Sequence, residues 1–388
     1  MVTYSTFYSE YGRRRLLTYA DSFRELAGAL FGDFSCEGEA QDREQRLAGH
    51  RIWENRHVLG ENLLEVSRVM TRVASEVFRF RPFPEKQKKK LLHALKSERL
   101  HVADMFYIDK QEDRISFCMV MSTDRPGGCG AEQAADMLSV LMDMRLAVAV
   151  TSPVQIDASP KNFVFVEEPR FVALSGFARA IKEGENISGD NYALIETDDG
   201  YMNVLLSDGM GSGEKAQSDS EQVLDLMEKL LEAGYGPQAA LNLTNSALVA
   251  AGEEMNMSTL DLCSINLYNG MCEFHKMGAA ASFLKSNNFV EQISACSLPL
   301  GILQTVEEDV VSREIIDGDY IILMTDGVLD ALAAGGYEEM MTRFLEELSE
   351  VNPGEIARKI LSFAIQCAGG RIADDMTVVV MGIFGGNN

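Results

Sequence analysis

Three runs that read as β-strands each meet an aspartate at one end, and this recurrence constrains the chain more than any other feature. Residues 201–206 (YMNVLL) lead into Asp208-Gly209, and residues 320–324 (YIILM) lead into Asp326-Gly327. Residues 377–380 (TVVV) follow Asp374-Asp375, and Ser188-Gly189-Asp190-Asn191 forms a fourth acidic cluster. One such cluster alone is a turn, because Asp-Gly is among the commonest turn dipeptides. Together they put carboxylates at several strand ends, where a carboxylate and a nearby backbone carbonyl can face one point. Converging oxygens of this kind suit hard divalent cations such as Mg²⁺ or Mn²⁺. The chain has five His, and none lies in these clusters, so zinc is disfavoured.

The region from residue 167 to 388 alternates strands with helices. Two consecutive helices are expected at 216–233 and 237–251, separated by Gly234-Tyr235-Gly236 with Pro237 at a helix start. Strands at 261–268, 271–277, 281–285 and 289–294 read as an antiparallel meander with Asn-Gly and Asn-Asn turns. A late helix is expected near 353–367. The fold class is α/β, a sandwich with helices outside two packed sheets.

Three segments precede it. Residues 1–50 read as a helical lead broken at glycines 28, 32, 38 and 49. Residues 51–84 hold a linker helix in which Leu59, Leu63, Val66, Met70, Val73, Val77 and Phe80 recur in steps of four and three, a coiled-coil seam ended by Pro82 and Pro84. A helix packed within its own domain would show the same stripe, and either way the stripe needs a partner surface. Residues 85–166 read as a small α/β module: a helix at 86–99, strands at 102–108 and 114–121, a turn at 109–113, a helix at 131–144 and strands at 147–150 and 163–167. Gly127-Gly128-Cys129-Gly130 fits neither a dinucleotide fingerprint nor a P-loop and is a helix-opening turn.

The net charge is −24, divided as +4 over residues 1–100 and −28 over residues 101–388. An acidic C-terminal half excludes nucleic acid as the expected partner and favours cations. The basic pieces Arg13-Arg14-Arg15 and Lys86 to Lys90 read as solvated faces, and membrane contact is expected only through a segment outside this chain. No stretch approaches the roughly 20 apolar residues of a membrane span. The seven Cys include no Cys-x-x-Cys pair and fit reduced thiols in the cytoplasm.

Residues 169–384 resemble the metal-dependent type 2C (PPM) serine/threonine phosphatases, in particular the bacterial members that act in sporulation. The resemblance rests on Ser188-Gly189-Asp190, Ser207-Asp208-Gly209-Met210-Gly211, Ser258-Thr259-Leu260-Asp261-Leu262, Leu298-Pro299-Leu300-Gly301-Ile302, Asp326-Gly327 and Asp374-Asp375-Met376-Thr377. It implies a PPM-type α-β-β-α sandwich holding two Mn²⁺ or Mg²⁺ ions. It implies that Asp208 bridges the ions with the Gly209 carbonyl beside it, and that Asp326 and Asp374 serve the other side. Asp190 matches a ligand or a group ordering metal-bound water. Asp375 stands where many relatives have Asn, so either Asp374 or Asp375 is the direct ligand. Thr259 and Asp261 match a structural strand beneath the site.

The resemblance further implies hydrolysis of a serine phosphate by metal-bound hydroxide, with no covalent phosphoenzyme. The implied substrate is a phosphorylated anti-anti-sigma protein whose dephosphorylation releases a sporulation sigma factor, and a homodimer is implied with it. Two other readings stand beside this one: a stress-response phosphatase with a different anti-anti-sigma target, and a non-catalytic scaffold tied to a cell-division protein. The chain departs from many eukaryotic relatives at Gly211-Ser212-Gly213, where they carry Gly-Gly-His. The arginine that grips substrate phosphate there has no clear match, leaving Arg170 and Arg179 as candidates.

Overall fold

The computed structural model describes residues 4–31, 43–76, 80–108, 115–197, 199–251, 257–287, 289–294, 297–303, 309–332 and 336–385. The chain divides into two compact units, one of Met1–Asp42 with Leu59–Pro169 and one of Arg43–Val58 with Arg170–Asn388. No helix among the described residues is long and apolar enough to cross a membrane.

In the first unit, α1 (Tyr4–Phe31) packs on the later part of α2 (Arg43–Glu76). Gly28 and Gly49 lie inside these helices and break neither, and α2 starts upstream of residue 50, where a boundary was expected. The contact uses small residues seven apart: Ala20 and Ala27 on α1, Ser67 and Ala74 on α2, all buried, with Gly60 one heptad before Ser67. Ser67 Oγ donates to the Ala20 carbonyl at 2.7 Å, and a Cβ at Gly60 would stand 2.8 Å from the Phe31 ring. Small side chains let helix axes approach closely. The expected seam lies beside this contact: Leu59 is 51% exposed, and Leu63, Val66, Met70 and Val73 are half-buried. Val77 lies outside the described residues.

The same unit continues with β1 (Phe80–Pro82), α3 (Glu85–Ser97), β2 (Leu100–Ile108), β3 (Ser116–Thr123), β4 (Cys129–Gly130), α4 (Ala131–Met142), β5 (Leu146–Val148), β6 (Gln155–Ile156) and β7 (Lys161–Glu167). A sheet of order β1-β2-β3-β7-β5 carries α3 and α4, with Leu91, Leu95, Ala134 and Leu138 packed on Phe117, Met119, Phe163 and Phe165. Pro82 therefore belongs to an edge strand, one of the few places a sheet tolerates proline. The expected turn at 109–113 lies outside the described residues.

The second unit holds β8 (Phe171–Ala180), β9 (Asp190–Glu196), β10 (Tyr201–Asp208), α5 (Gly213–Glu232), α6 (Pro237–Ala251), β11 (Leu260–Asn266), β12 (Met271–Met277), β13 (Ser282–Ser286), β14 (Phe289–Ile293), β15 (Asp309–Glu314), β16 (Tyr320–Met324), α7 (Asp326–Asp330), α8 (Tyr337–Glu347), α9 (Pro353–Cys367) and β17 (Met376–Gly385). Two five-stranded antiparallel sheets form, of orders β15-β12-β11-β10-β9 and β14-β13-β16-β17-β8. Helices α5 and α6 cover the first through Val223, Met227, Leu231 and Leu241 on Leu205, Leu260 and Leu262. Helices α7, α8 and α9 cover the second through Val328, Met341, Leu345, Ile356 and Ile360 on Phe283, Ile322, Val378 and Val380. Between the sheets lie Val204, Leu206, Cys263, Phe274, Leu284, Ile321, Leu323, Val379 and Met381. Successive side chains of a strand point to opposite faces, so strands buried on both faces read as unbroken apolar runs. This is the α-β-β-α sandwich.

The expected meander over 261–294 is instead two hairpins in different sheets. Strands β11 and β12 pair in the first sheet, and the chain then crosses to the second for β13 and β14. It returns for β15 before crossing again to β16 and β17. The acidic strand ends gather at one end of the sandwich.

Candidate metal site

The geometry starts from the β9–β10 ladder. Asp190 opens β9, Asp208 closes β10, and the two are direct partners in the antiparallel register. Asp208 is fixed through its backbone: its N–H donates to Thr259 Oγ1 at 3.2 Å, and its carbonyl accepts from Thr259 N–H and Ser258 Oγ, both at 2.9 Å. Gly209 follows where the chain meets the first turn of α5. A Cβ there would lie 2.0 Å from the Ala216 carbonyl oxygen, so only glycine fits.

The second sheet brings Asp326 and Asp374. Asp326 begins α7 just after β16, and Asp374 precedes β17, which pairs with β16. Thr325 bridges the two sheets: Thr377 N–H donates to its Oγ1 at 2.9 Å, and that hydroxyl donates to Asp190 Oδ2 at 3.0 Å. Burial grades across the set, with Asp190 buried, Asp208 half-buried, and Asp326 and Asp374 exposed. A cavity of about 20 Å³ lies among Leu206, Asp208, Thr259, Asp261, Gly278, Ala279, Ala280, Met324, Thr325 and Asp326.

Asp374 and Asp375 have different surroundings. Asp375 is buried, and its two oxygens accept from Lys182 N–H at 2.9 Å and Gly189 N–H at 2.7 Å. It ties the loop before Asp190 to the start of β17. Asp374 is exposed, with Lys182 Nζ at 3.3 Å. The two arginine candidates also separate. Arg179 stands opposite Thr377 in the β8–β17 register, at the acidic end, and its guanidinium lies 5.9 Å from the Tyr192 ring centre. Arg170 precedes the other end of β8, about 30 Å away at the rise of an extended strand, and stacks on Phe171.

These carboxylates disfavour one another's charge. Burial pushes the Asp208 carboxyl up to about 9, with Asp190, Asp326 and Asp374 adding repulsion. Burial raises Asp190 to about 6, offset in part by hydrogen bonds from threonines and by Arg179. Asp326, although exposed as a residue, is raised by lost solvation beside the cavity and then by Asp330 and Asp374. Like charges directly opposite in a ladder are destabilising, and a cation among them reverses the sign. Among the described residues no three acidic, His or Cys side chains close on one point tightly enough to hold an ion alone. Asp208 and Asp326 instead line one cavity, which fits Mg²⁺ or Mn²⁺ sites that take one or two carboxylates and keep several waters. An all-oxygen donor set of this kind fits the expected pair of ions.

Residues 198–384 match the family model described as "Stage II sporulation protein E (SpoIIE)". The chain is 32% identical over 331 residues to stage II sporulation protein E of Priestia megaterium, covering 85% of this chain and 57% of that protein. It is also similar to a solved structure of the PP2C phosphatase domain and a fragment of the regulatory domain of SpoIIE from Bacillus subtilis. That likeness has a TM-score of 0.62 and 27% identity, covering 90% of this chain and all of that one. The chain belongs to the stage II sporulation protein E family. A more distant member of the wider group, phosphoserine phosphatase RsbU of Bacillus subtilis, is 23% identical over 202 residues, covering 51% of this chain and 60% of that protein. The chain thus spans little more than half the length of these curated relatives. As a member of the SpoIIE family it shares the type 2C phosphatase fold, and the four-layer sandwich above is that fold.

Reading the sequence alone leaves Thr325 out of the site and gives Thr259 and Asp261 only a structural place beneath it. Thr325 acts through its hydroxyl, and Thr259 through its hydroxyl and its backbone N–H. Asp261 carries a real signal, an acid inside an apolar strand sequence, whose partner is visible only once the strands are in register.

Proposed function

We propose that this chain is a Mn²⁺- or Mg²⁺-dependent phosphatase acting on a phosphoserine of a protein substrate. The observation that carries the reading is the Asp190–Asp208 pair, register partners in the ladder, with Asp208 and Asp326 lining one cavity. Two divalent ions at this place would supply an activated water and neutralise the phosphoryl oxygens. Asp208 with the Gly209 carbonyl would hold both ions, Asp326 and Asp374 would hold the solvent side, and Asp190, gripped by Thr325, would orient water at the floor. Asp374 is assigned the direct role because both oxygens of Asp375 already accept backbone N–H groups. Arg179 and Lys182 place positive charge at the rim of this end, suited to drawing in a phosphate dianion. The open, exposed rim fits a folded protein as substrate.

The substrate assigned is the phosphorylated anti-anti-sigma protein, supported by the SpoIIE and RsbU relatives together, with a homodimer as the working form. The test is hydrolysis of a serine-phosphorylated anti-anti-sigma protein with Mn²⁺, Mg²⁺ or EDTA, beside Asp326→Asn. The expected result is metal-dependent turnover that falls by at least about 100-fold in the variant, the scale lost with a key transition-state stabiliser. Absence of both turnover and metal binding would leave a scaffold as the function.

A further inference from the structure

A second polar group lies under the carboxylates. Asp261 on β11 and Lys276 on β12 are register partners, and both are 1% exposed. Lys276 Nζ lies 2.5 Å from Asp261 Oδ2 and 2.9 Å from Ser282 Oγ, and Ser282 donates to the same Oδ2. Every contact falls on one carboxylate oxygen. The other, Oδ1, is buried and has no protein partner.

The face that this side chain occupies follows from strand geometry. Asp261 pairs with Leu206, two residues before Asp208, so residues 206, 208 and 261 share the face between the sheets. Asp261 lines the same cavity as Asp208 and Asp326. The cavity's volume of about 20 Å³ exceeds the roughly 10–15 Å³ that one water needs.

We propose that Asp261, clamped by Lys276 and Ser282, is a positioning residue whose Oδ1 holds a water linking the cavity floor to Asp208 and the cation site. The Lys276 ammonium answers the Asp261 charge, so Asp261 acts as a hydrogen-bond acceptor and not as a further cation ligand. A purely structural role explains the features less well. An apolar pair fills such a place at least as stably as a buried ion pair, and it leaves no oxygen without a partner. The inference rests on the proposed function, because it gives Asp261 a role only if cations occupy the carboxylates.

The test compares two charge-balanced double variants with the parent. Asp261→Val with Lys276→Met removes the acceptor, and Asp261→Asn with Lys276→Met keeps one. Mn²⁺ affinity is read by calorimetry, melting is followed in EDTA, and kcat and KM are measured separately on the phosphoserine protein. The Val/Met variant should melt within a few degrees of the parent, bind Mn²⁺ about tenfold more weakly and lose about tenfold in kcat with KM little changed. The Asn/Met variant should recover most of both. Parent-like Mn²⁺ affinity and kcat in the Val/Met variant would overturn the inference while leaving the proposed function intact. A parent that binds no Mn²⁺ would overturn both. Should Val/Met fail to fold, Ser282→Ala decides: it leaves the pair but loosens Oδ2, and Mn²⁺ affinity should fall about threefold. Unchanged affinity there would equally overturn the role.

Discussion

Asp190 and Asp208 are direct partners across the β9–β10 ladder, a like-charge pair held in place by the backbone of both strands. Without cations this arrangement works against folding. The Asp208 carboxyl keeps its proton up to about 9 in the folded chain, whereas an unfolded aspartate gives it up near 4. Between those values the folded state binds more protons, so stability falls as pH rises. Asp208→Asn removes that dependence. In EDTA the variant should melt at least about 3 °C above the parent at pH 7.5, with the gap closing near pH 4. Added Mn²⁺ should reverse the order. Parallel melting curves for the two proteins across pH 4–9 would contradict the account.

The neighbours Asp374 and Asp375 should separate cleanly. Asp375 accepts two backbone N–H groups in a buried place, and removing it leaves both without an acceptor. Hydrogen bonds to charged groups contribute about 2 kcal/mol each, so Asp375→Ala should lower Tm by roughly 10 °C. Asp374 is exposed, and Asp374→Ala should leave Tm in EDTA within about 1 °C while weakening Mn²⁺ binding at least tenfold. Melting and calorimetry on the two variants give the answer. A large loss of Tm in Asp374→Ala with Mn²⁺ binding kept would exchange the two roles.

Much of the sandwich is legible before folding because its signals are local. Helix α6 begins at Pro237, and α9 begins at Pro353 after Asn352, whose side chain accepts from Gly354 and Glu355 N–H. Strands β10 and β16 read as apolar runs because both faces are buried. What stays hidden depends on pairing. The strands from residue 260 to 293 look like one meander, and nothing within them states that the chain changes sheets after β12. The α1–α2 contact is hidden for a related reason: Gly60, Ser67 and Ala74 carry no hydrophobic signal, so the larger side chains beside them draw the eye. Aspartates next to strand runs reveal the carboxylate end, but the Asp261–Lys276 partnership and the Thr325 bridge exist only in the assembled register.

Gly209 should resist even the smallest side chain. The Ala216 carbonyl belongs to the first turn of α5, so a methyl group at 209 cannot be relieved by rotating a side chain. Either α5 shifts or the Asp208 loop does. Gly209→Ala should weaken Mn²⁺ binding at least about tenfold, with the far-UV circular dichroism unchanged. The scale is that of a metal site losing a supporting contact. Full Mn²⁺ affinity in the variant would show that the loop has slack.

Thr325 offers a test of the link between the sheets. Its hydroxyl accepts from Thr377 N–H and donates to Asp190 Oδ2, and Thr325→Val keeps the shape while removing both bonds. A hydrogen bond to the charged form favours ionisation, so its loss should push the Asp190 carboxyl further above its raised value of about 6. Cation binding requires the carboxylate, and its midpoint should therefore move to higher pH by roughly half a unit or more. The Mn²⁺ affinity of parent and variant, measured by calorimetry from pH 5.5 to 8.5, reads this directly. The two should converge at the alkaline end and part at the acidic end. A uniform loss at every pH would mean that Thr325 holds the geometry of the ladder and does not tune the charge of Asp190.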